Sequence, residues 1–158
     1  MSLGLLLLRL IVGGTFAVHG YPKLFGGPSK PVPPEAARFL GQGFVQAMGR
    51  GPAGFVETLS GLGVPLPKVM ARVVGGVELF GGLLLALGWH TRLAALLLGG
   101  EMAVVIWKVH WRNGLSAPGG FEFPLSLLGA CLALFFGGPG RISVDGLEAA
   151  VDCCRRRR

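Results

Sequence analysis

The sequence predicts an all-α integral membrane protein: a four-helix bundle with a long first loop carrying short interfacial helices. Two observations predict it. Four apolar stretches, Leu3–Phe25, Val69–Trp89, Leu93–Trp111 and Phe121–Gly138, fill over half of the 158 residues. Each approaches the roughly 20 residues that a helix needs to cross a ~30 Å hydrocarbon layer. The composition agrees. The chain is 51% hydrophobic and 15% charged, where a soluble domain carries about 25% charge, and its mean hydropathy is +0.61. Its 28 glycines suit membrane helices, which use small residues to bring backbones together. At this length one domain, 1–158, is expected.

The first stretch is read as a retained span, 3–25. Residues 1–8 carry no side-chain charge, Arg9 interrupts the apolar run, and no A-x-A-like cleavage site follows. Arg9 lies near the start, where its stem can snorkel to the surface. The loop 26–68 comes next. Its opening, Gly26-Gly27-Pro28-Ser29-Lys30-Pro31-Val32-Pro33-Pro34, cannot be helix, because proline lacks a donor and restricts the residue before it. Glu35–Met48 can then form a short helix with Phe39, Leu40, Phe44 and Met48 on one side, lying on the membrane or acting as a lid. Phe55, Leu59 and Leu62 form a second such stripe. Gly63-Val64-Pro65-Leu66-Pro67 leads into the second span, 69–89. Gly88 to Arg92 turns into the third, 93–111, and Asn113–Gly120 joins that to the fourth, 121–138. After Gly137-Gly138-Pro139-Gly140-Arg141 the chain leaves the membrane. Val144–Val151 is a candidate surface helix before the basic tail.

The formal charge is +7. Four of the fifteen cations are Arg155–Arg158 and most others flank spans, so the charge is read as lipid contact and topology control rather than nucleic-acid binding. Four spans put both termini on one side. Arg92, Arg141 and the tail favour the cytoplasm for the termini and the middle turn. Cys131 reads as a small packing residue. Adjacent Cys153 and Cys154 disfavour an ordinary disulfide and read as a reduced tail pair, with redox or lipidation roles open.

Ionisable groups at mid-depth each require an explanation. Glu78 sits near the middle of the second span, with Gly75 and Gly82 on its face, so that face should pack against another helix. A hydrogen-bonded structural acid and a proton carrier are both open. Glu101 has a similar depth in the third span, with Lys108 two turns on. A polar clasp and a proton path are again both open. The topology gathers His19, Lys23, His110, Arg112, Asn113 and Glu122 at one mouth. There they form either an interfacial belt or a site that hydrogen-bonds the oxygens of an amphipathic ligand, with Phe16, Tyr21, Trp107 and Trp111 against its ring. No metal is expected, since His19, His110 and Glu122 lack ligand spacing. Nothing resembles a phosphate loop, a nucleophile elbow, CxxC or a haem-attachment motif.

The residues also carry a resemblance. His19-Gly20-Tyr21-Pro22-Lys23-Leu24-Phe25-Gly26 follows an Arg-containing apolar run, and then comes Gly63-Val64-Pro65. Next are Gly76-Val77-Glu78-Leu79-Phe80-Gly81-Gly82, Gly88-Trp89-His90-Thr91-Arg92-Leu93-Ala94-Ala95, Glu101-Met102 and Val109-His110-Trp111-Arg112-Asn113-Gly114. The series closes with Gly119-Gly120-Phe121-Glu122-Phe123-Pro124 and Gly138-Pro139-Gly140-Arg141-Ile142-Ser143-Val144-Asp145. In this order and spacing the chain resembles the DoxX family of small four-span membrane proteins over most of residues 5–147. The stretch from about Pro28 to Gly51 departs from that pattern, so no role for it is implied.

The resemblance implies a four-helix bundle in a bacterial-type cytoplasmic (inner) membrane. It implies function loosely. Members include a subunit of a thiosulfate:quinone oxidoreductase and proteins linked to quinone or thiol-oxidant resistance, and related eukaryotic proteins act as cargo receptors or assembly factors. The expectation is a quinone-linked membrane redox component, an oxidoreductase subunit or a detoxification protein. It would have no covalently bound cofactor, a quinone as ligand and a separate redox partner. His19, Lys23, His110, Asn113 and Glu122 would bind the ligand, and Glu78 and Glu101 would carry protons. The alternative is a non-catalytic binding or assembly protein that recognises a partner helix or a lipid. A transporter would need a homo-oligomer.

Overall fold

A computed structural model describes residues 2–116 and 118–156, with side chains described as far as Val151. The readings made for Cys153, Cys154 and Arg155–Arg158 therefore lie outside the described side chains. The described residues are all helix and connection. The helices are α1 (Ser2–Phe25), α2 (Pro34–Gly61), α3 (Pro67–Leu87), α4 (Thr91–Asn113), α5 (Glu122–Gly137) and α6 (Val144–Arg156). Three of them, α1, α3 and α4, have 24, 21 and 23 residues and are apolar enough to cross a membrane. The fourth apolar stretch forms α5, which is shorter at 16 residues. Large apolar side chains remain exposed along these helices, Leu7, Ile11, Leu83, Leu96 and Phe136 among them. That is the surface expected where the surrounding solvent is lipid. The chain is a membrane protein.

The loop between the first two spans is mostly helical. Within α2 the backbone leaves helical values at Gly41 (φ 82°, ψ 169°) and Gly51 (φ 57°, ψ −157°). Pro52 follows Gly51, and a residue before proline is pushed out of the α region. Proline then suits the first turn of the next helical segment. The break at Gly41 revises the stripe read for this segment. Phe39 is turned outward and 88% exposed, while Met48, beyond the break, is buried.

Two long helices contain π-helical turns, Val77–Gly81 in α3 and Ile106–His110 in α4. Such a turn adds one residue to the helical repeat and often marks a functional position.

The described chain clusters into two compact units. One runs up to Thr15 and resumes at Gly81, and the other is Phe16–Phe80. In the first, Leu85, Leu98 and Leu134 are fully buried. Gly99 of α4 lies against α5, where a Cβ would come within 3.2 Å of the Cys131 Cβ, so Cys131 is a packing residue. Arg9 does not snorkel to the surface, as the sequence suggested. It is 0% exposed, because the turn after α5 covers it and its Nη2 donates to the Ile142 carbonyl. Asp145, at the start of α6, ties the same turn to α4. Its Oδ1 accepts from the His90 N–H at 2.8 Å, and its Oδ2 accepts from the N–H and hydroxyl of Thr91 at 3.0 and 2.9 Å.

In Phe16–Phe80, the core side chains Phe16, Met48, Leu59, Ala71 and Leu79 pack the end of α1, α2 and the first part of α3. Backbone meets backbone where α2 passes the end of α1. The Gly27 N–H donates to the Met48 carbonyl at 2.6 Å. A Cβ at Gly51 would meet the Gly26 carbonyl carbon at 2.6 Å. Only glycine fits there, by space and by its left-handed φ.

Candidate ligand cavity

The unit Phe16–Phe80 forms a half-open cavity of about 380 Å3. Small-molecule pockets run roughly 300–1,000 Å3, so the volume suits one ring system with a short attachment. Val18, Leu40, Phe44 and Phe55 supply apolar wall, and His19, Lys23 and Arg50 supply basic groups. Each element contributes for a local reason. His19 and Lys23 are four apart on α1 and share a face. Phe44 and Arg50 come from the segment of α2 between its two glycine breaks. Phe55 and Thr58 come from the segment after Pro52. The Thr58 hydroxyl is turned back to its own helix, donating to the Gly54 carbonyl at 2.9 Å.

Lys23 has two partners. Its Nζ pairs with Glu78 Oε2 and lies 4.6 Å from the centre of the Phe55 ring, in cation–π range. Glu78 is 3% exposed. A charge removed from water to that degree is held by an opposite charge or not at all. Glu78 occupies its place because α1 and α3 approach closely: a side chain at Gly20 would strike the Leu79 nitrogen, the Glu78 Cβ and the Gly75 carbonyl. The flat face expected around Glu78 is thus shared, with Gly20 on α1 answering Gly75 on α3.

Of the residues expected at one mouth, His19 and Lys23 line this cavity, and Glu78 stands behind Lys23. The others lie in the unit that resumes at Gly81. His110, in the π-helical turn of α4, places Nδ1 2.5 Å from the Gly119 carbonyl, and Asn113 Nδ2 donates to that same oxygen at 2.9 Å. A carbonyl cannot donate, so Nδ1 carries the proton in this contact. Trp111 stacks on Phe121 at 5.6 Å. Glu122 is exposed at the first turn of α5. Glu101 is half-buried in α4. Lys108 is exposed, its Nζ 4.9 Å from the Trp107 ring centre.

Sequence reasoning missed Arg50 and the pocket role of Phe44 and Phe55. The signal was present. Phe44 and Phe55 stood on the two apolar stripes of the first loop, and Arg50 immediately precedes the Gly51-Pro52 break. The segment 40–51 forms one wall of the cavity.

No curated protein and no solved structure matches the chain. A family model does, over residues 4–111, and it is described as DoxX.

Proposed function

The chain belongs to the DoxX family, and on that premise we propose that it is a quinone-linked membrane redox component. It would act as an oxidoreductase subunit or in oxidant detoxification, with the quinone head group in the cavity of Phe16–Phe80. The observation that carries the reading is the cavity wall: aromatic surface at Phe44 and Phe55 beside donors at His19, Lys23 and Arg50. A quinone ring offers flat apolar faces and two acceptor oxygens, which this lining complements. When bound, it supplies acceptance of two electrons and two protons. His19 and Arg50 orient the oxygens by hydrogen bonds. Lys23 holds a proton at the wall, and Glu78, the carboxylate of its ion pair, is placed to take up the next proton and pass it to Lys23. Glu101, His110, Asn113 and Glu122 remain proposed contributors. Electrons come from a separate redox partner protein, and a homo-oligomer is a further part of the proposal.

The proposal includes four spans in a bacterial-type inner membrane with both termini cytoplasmic. Here α5 serves as the fourth span, packed on α4 through Gly99. Arg92, Arg141 and the tail mark the cytoplasmic face.

A second reading, a non-catalytic binding or assembly protein, is favoured by the Lys23 contacts with Glu78 and Phe55, which by themselves describe a structural clasp. The full-length chain in nanodiscs, titrated with a ubiquinone or menaquinone analogue, separates the two. The redox reading expects saturable binding, weakened about tenfold in His19→Ala by loss of one polar contact. It also expects Glu78→Gln to bind the analogue while losing turnover with the partner. Absence of binding, or Glu78→Gln with full turnover, rejects it.

A further inference from the structure

Three basic side chains line the cavity, His19, Lys23 and Arg50, and no acidic side chain does. The three are not equivalent. Lys23 is neutralised from behind by Glu78 and covered by Phe55. His19 carries no fixed charge and donates or accepts according to its tautomer. Arg50 is charged at any physiological pH and has no ion-pair partner among the described residues. Its position is built. A Cβ at Gly54, one turn on, would come within 2.5 Å of the Arg50 Cβ and 3.2 Å of its Cγ and Cδ. The absence of that Cβ lets the Arg50 stem lie along α2 beside the cavity. The fixed charge at the lining with no ion-pair partner among the described residues is therefore that of Arg50, which shares the cavity wall with Leu40, Phe44 and Phe55.

A neutral ring pressed against that group displaces some of its water and returns one hydrogen bond at most. A ring bearing an anionic oxygen returns a charge-assisted pair, which guanidinium geometry favours. We infer that the cavity selects the anionic form of its ligand, a quinone ring carrying an ionised hydroxyl group, and that Arg50 is the residue that sets this preference. The inference rests on the quinone reading of the cavity. It gives the segment Pro34–Gly51 a role: it delivers the specificity-determining charge.

The test uses two rings of nearly equal shape. The full-length chain in nanodiscs is titrated at neutral pH with 2-hydroxy-1,4-naphthoquinone, which is ionised, and with 2-methoxy-1,4-naphthoquinone, which is not. Arg50 is exposed, so the pair is partly screened, and the expected preference for the anion is about tenfold rather than the larger ratio of a fully desolvated pair. Arg50→Gln should abolish the preference by weakening the ionised ring about tenfold more than the methoxy ring, and residual binding of the methoxy ring reports an intact fold. Arg50→Lys should keep part of it. Equal affinities in the unmodified chain overturn the charge preference and leave the quinone reading standing. A preference that survives Arg50→Gln overturns the assignment to Arg50. Failure of both rings to bind overturns both readings.

Discussion

Asp145 holds three donors at once, the N–H groups of His90 and Thr91 and the Thr91 hydroxyl. Burial works against its carboxylate, but these hydrogen bonds outweigh it and hold the carboxyl below its ordinary range. His90 has a left-handed backbone (φ 49°, ψ 39°), which a non-glycine residue adopts at a cost. The bond from its N–H to Asp145 helps keep it there. Asp145 thus caps α4 from a distant part of the chain. A lowered pKa contributes stability that is present above the ordinary carboxylate value and is lost as the pH falls through the lower folded value. Asp145→Ala should therefore cost roughly 1 kcal/mol, the usual effect of losing an N-cap. In thermal melts in detergent, the gap between variant and parent should be constant above about pH 5 and close in stronger acid. A gap that widens on acidification would reject this role. None of it was legible beforehand. The His90-Thr91 and Ser143-Val144-Asp145 pieces were recognised in order, but no local rule pairs a carboxylate with a cap some fifty residues away.

At the scale of elements, the spans were legible and their interruptions were not. Apolar length and the punctuation at Pro28–Pro34, Pro65–Pro67 and Gly137–Gly140 located the long helices within a few residues. The π-helical turns at Val77–Gly81 and Ile106–His110 change neither composition nor length. They contain Glu78 and His110, two residues chosen on other grounds. Hydrophobic patterning found the two stripes of α2 but could not place Gly41, where the helix breaks without a proline. The two breaks should also differ in consequence. Both glycines have left-handed φ, yet a Cβ at Gly41 meets nothing within 4 Å, whereas one at Gly51 runs into the Gly26 backbone. Gly41→Ala should cost about 1 kcal/mol of backbone strain. Gly51→Ala should cost more, separate α2 from α1 and weaken quinone-analogue binding. Equal losses in melting temperature and binding would show that the junction does not shape the cavity.

For the molecule as a whole, the mid-depth acids and the small-residue contacts describe a chain that folds in lipid. Glu78 was found because an acid inside an apolar run stands out. Arg50 was not, because a cation in a loop does not. Reporter fusions at the two ends should be active on the same, cytoplasmic, side, and the chain should stay with the membrane through alkaline extraction. Opposite sidedness would remove α5 as a span. If α5 does cross, its 16 residues rise about 24 Å, some 6 Å less than a typical hydrocarbon layer. The surrounding bilayer must then thin, or the helix ends draw headgroups inward, along one flank. Around that flank the protein acts on its own solvent: short-chain lipids should gather there, and a membrane thickened by long acyl chains should be the environment that suits it least.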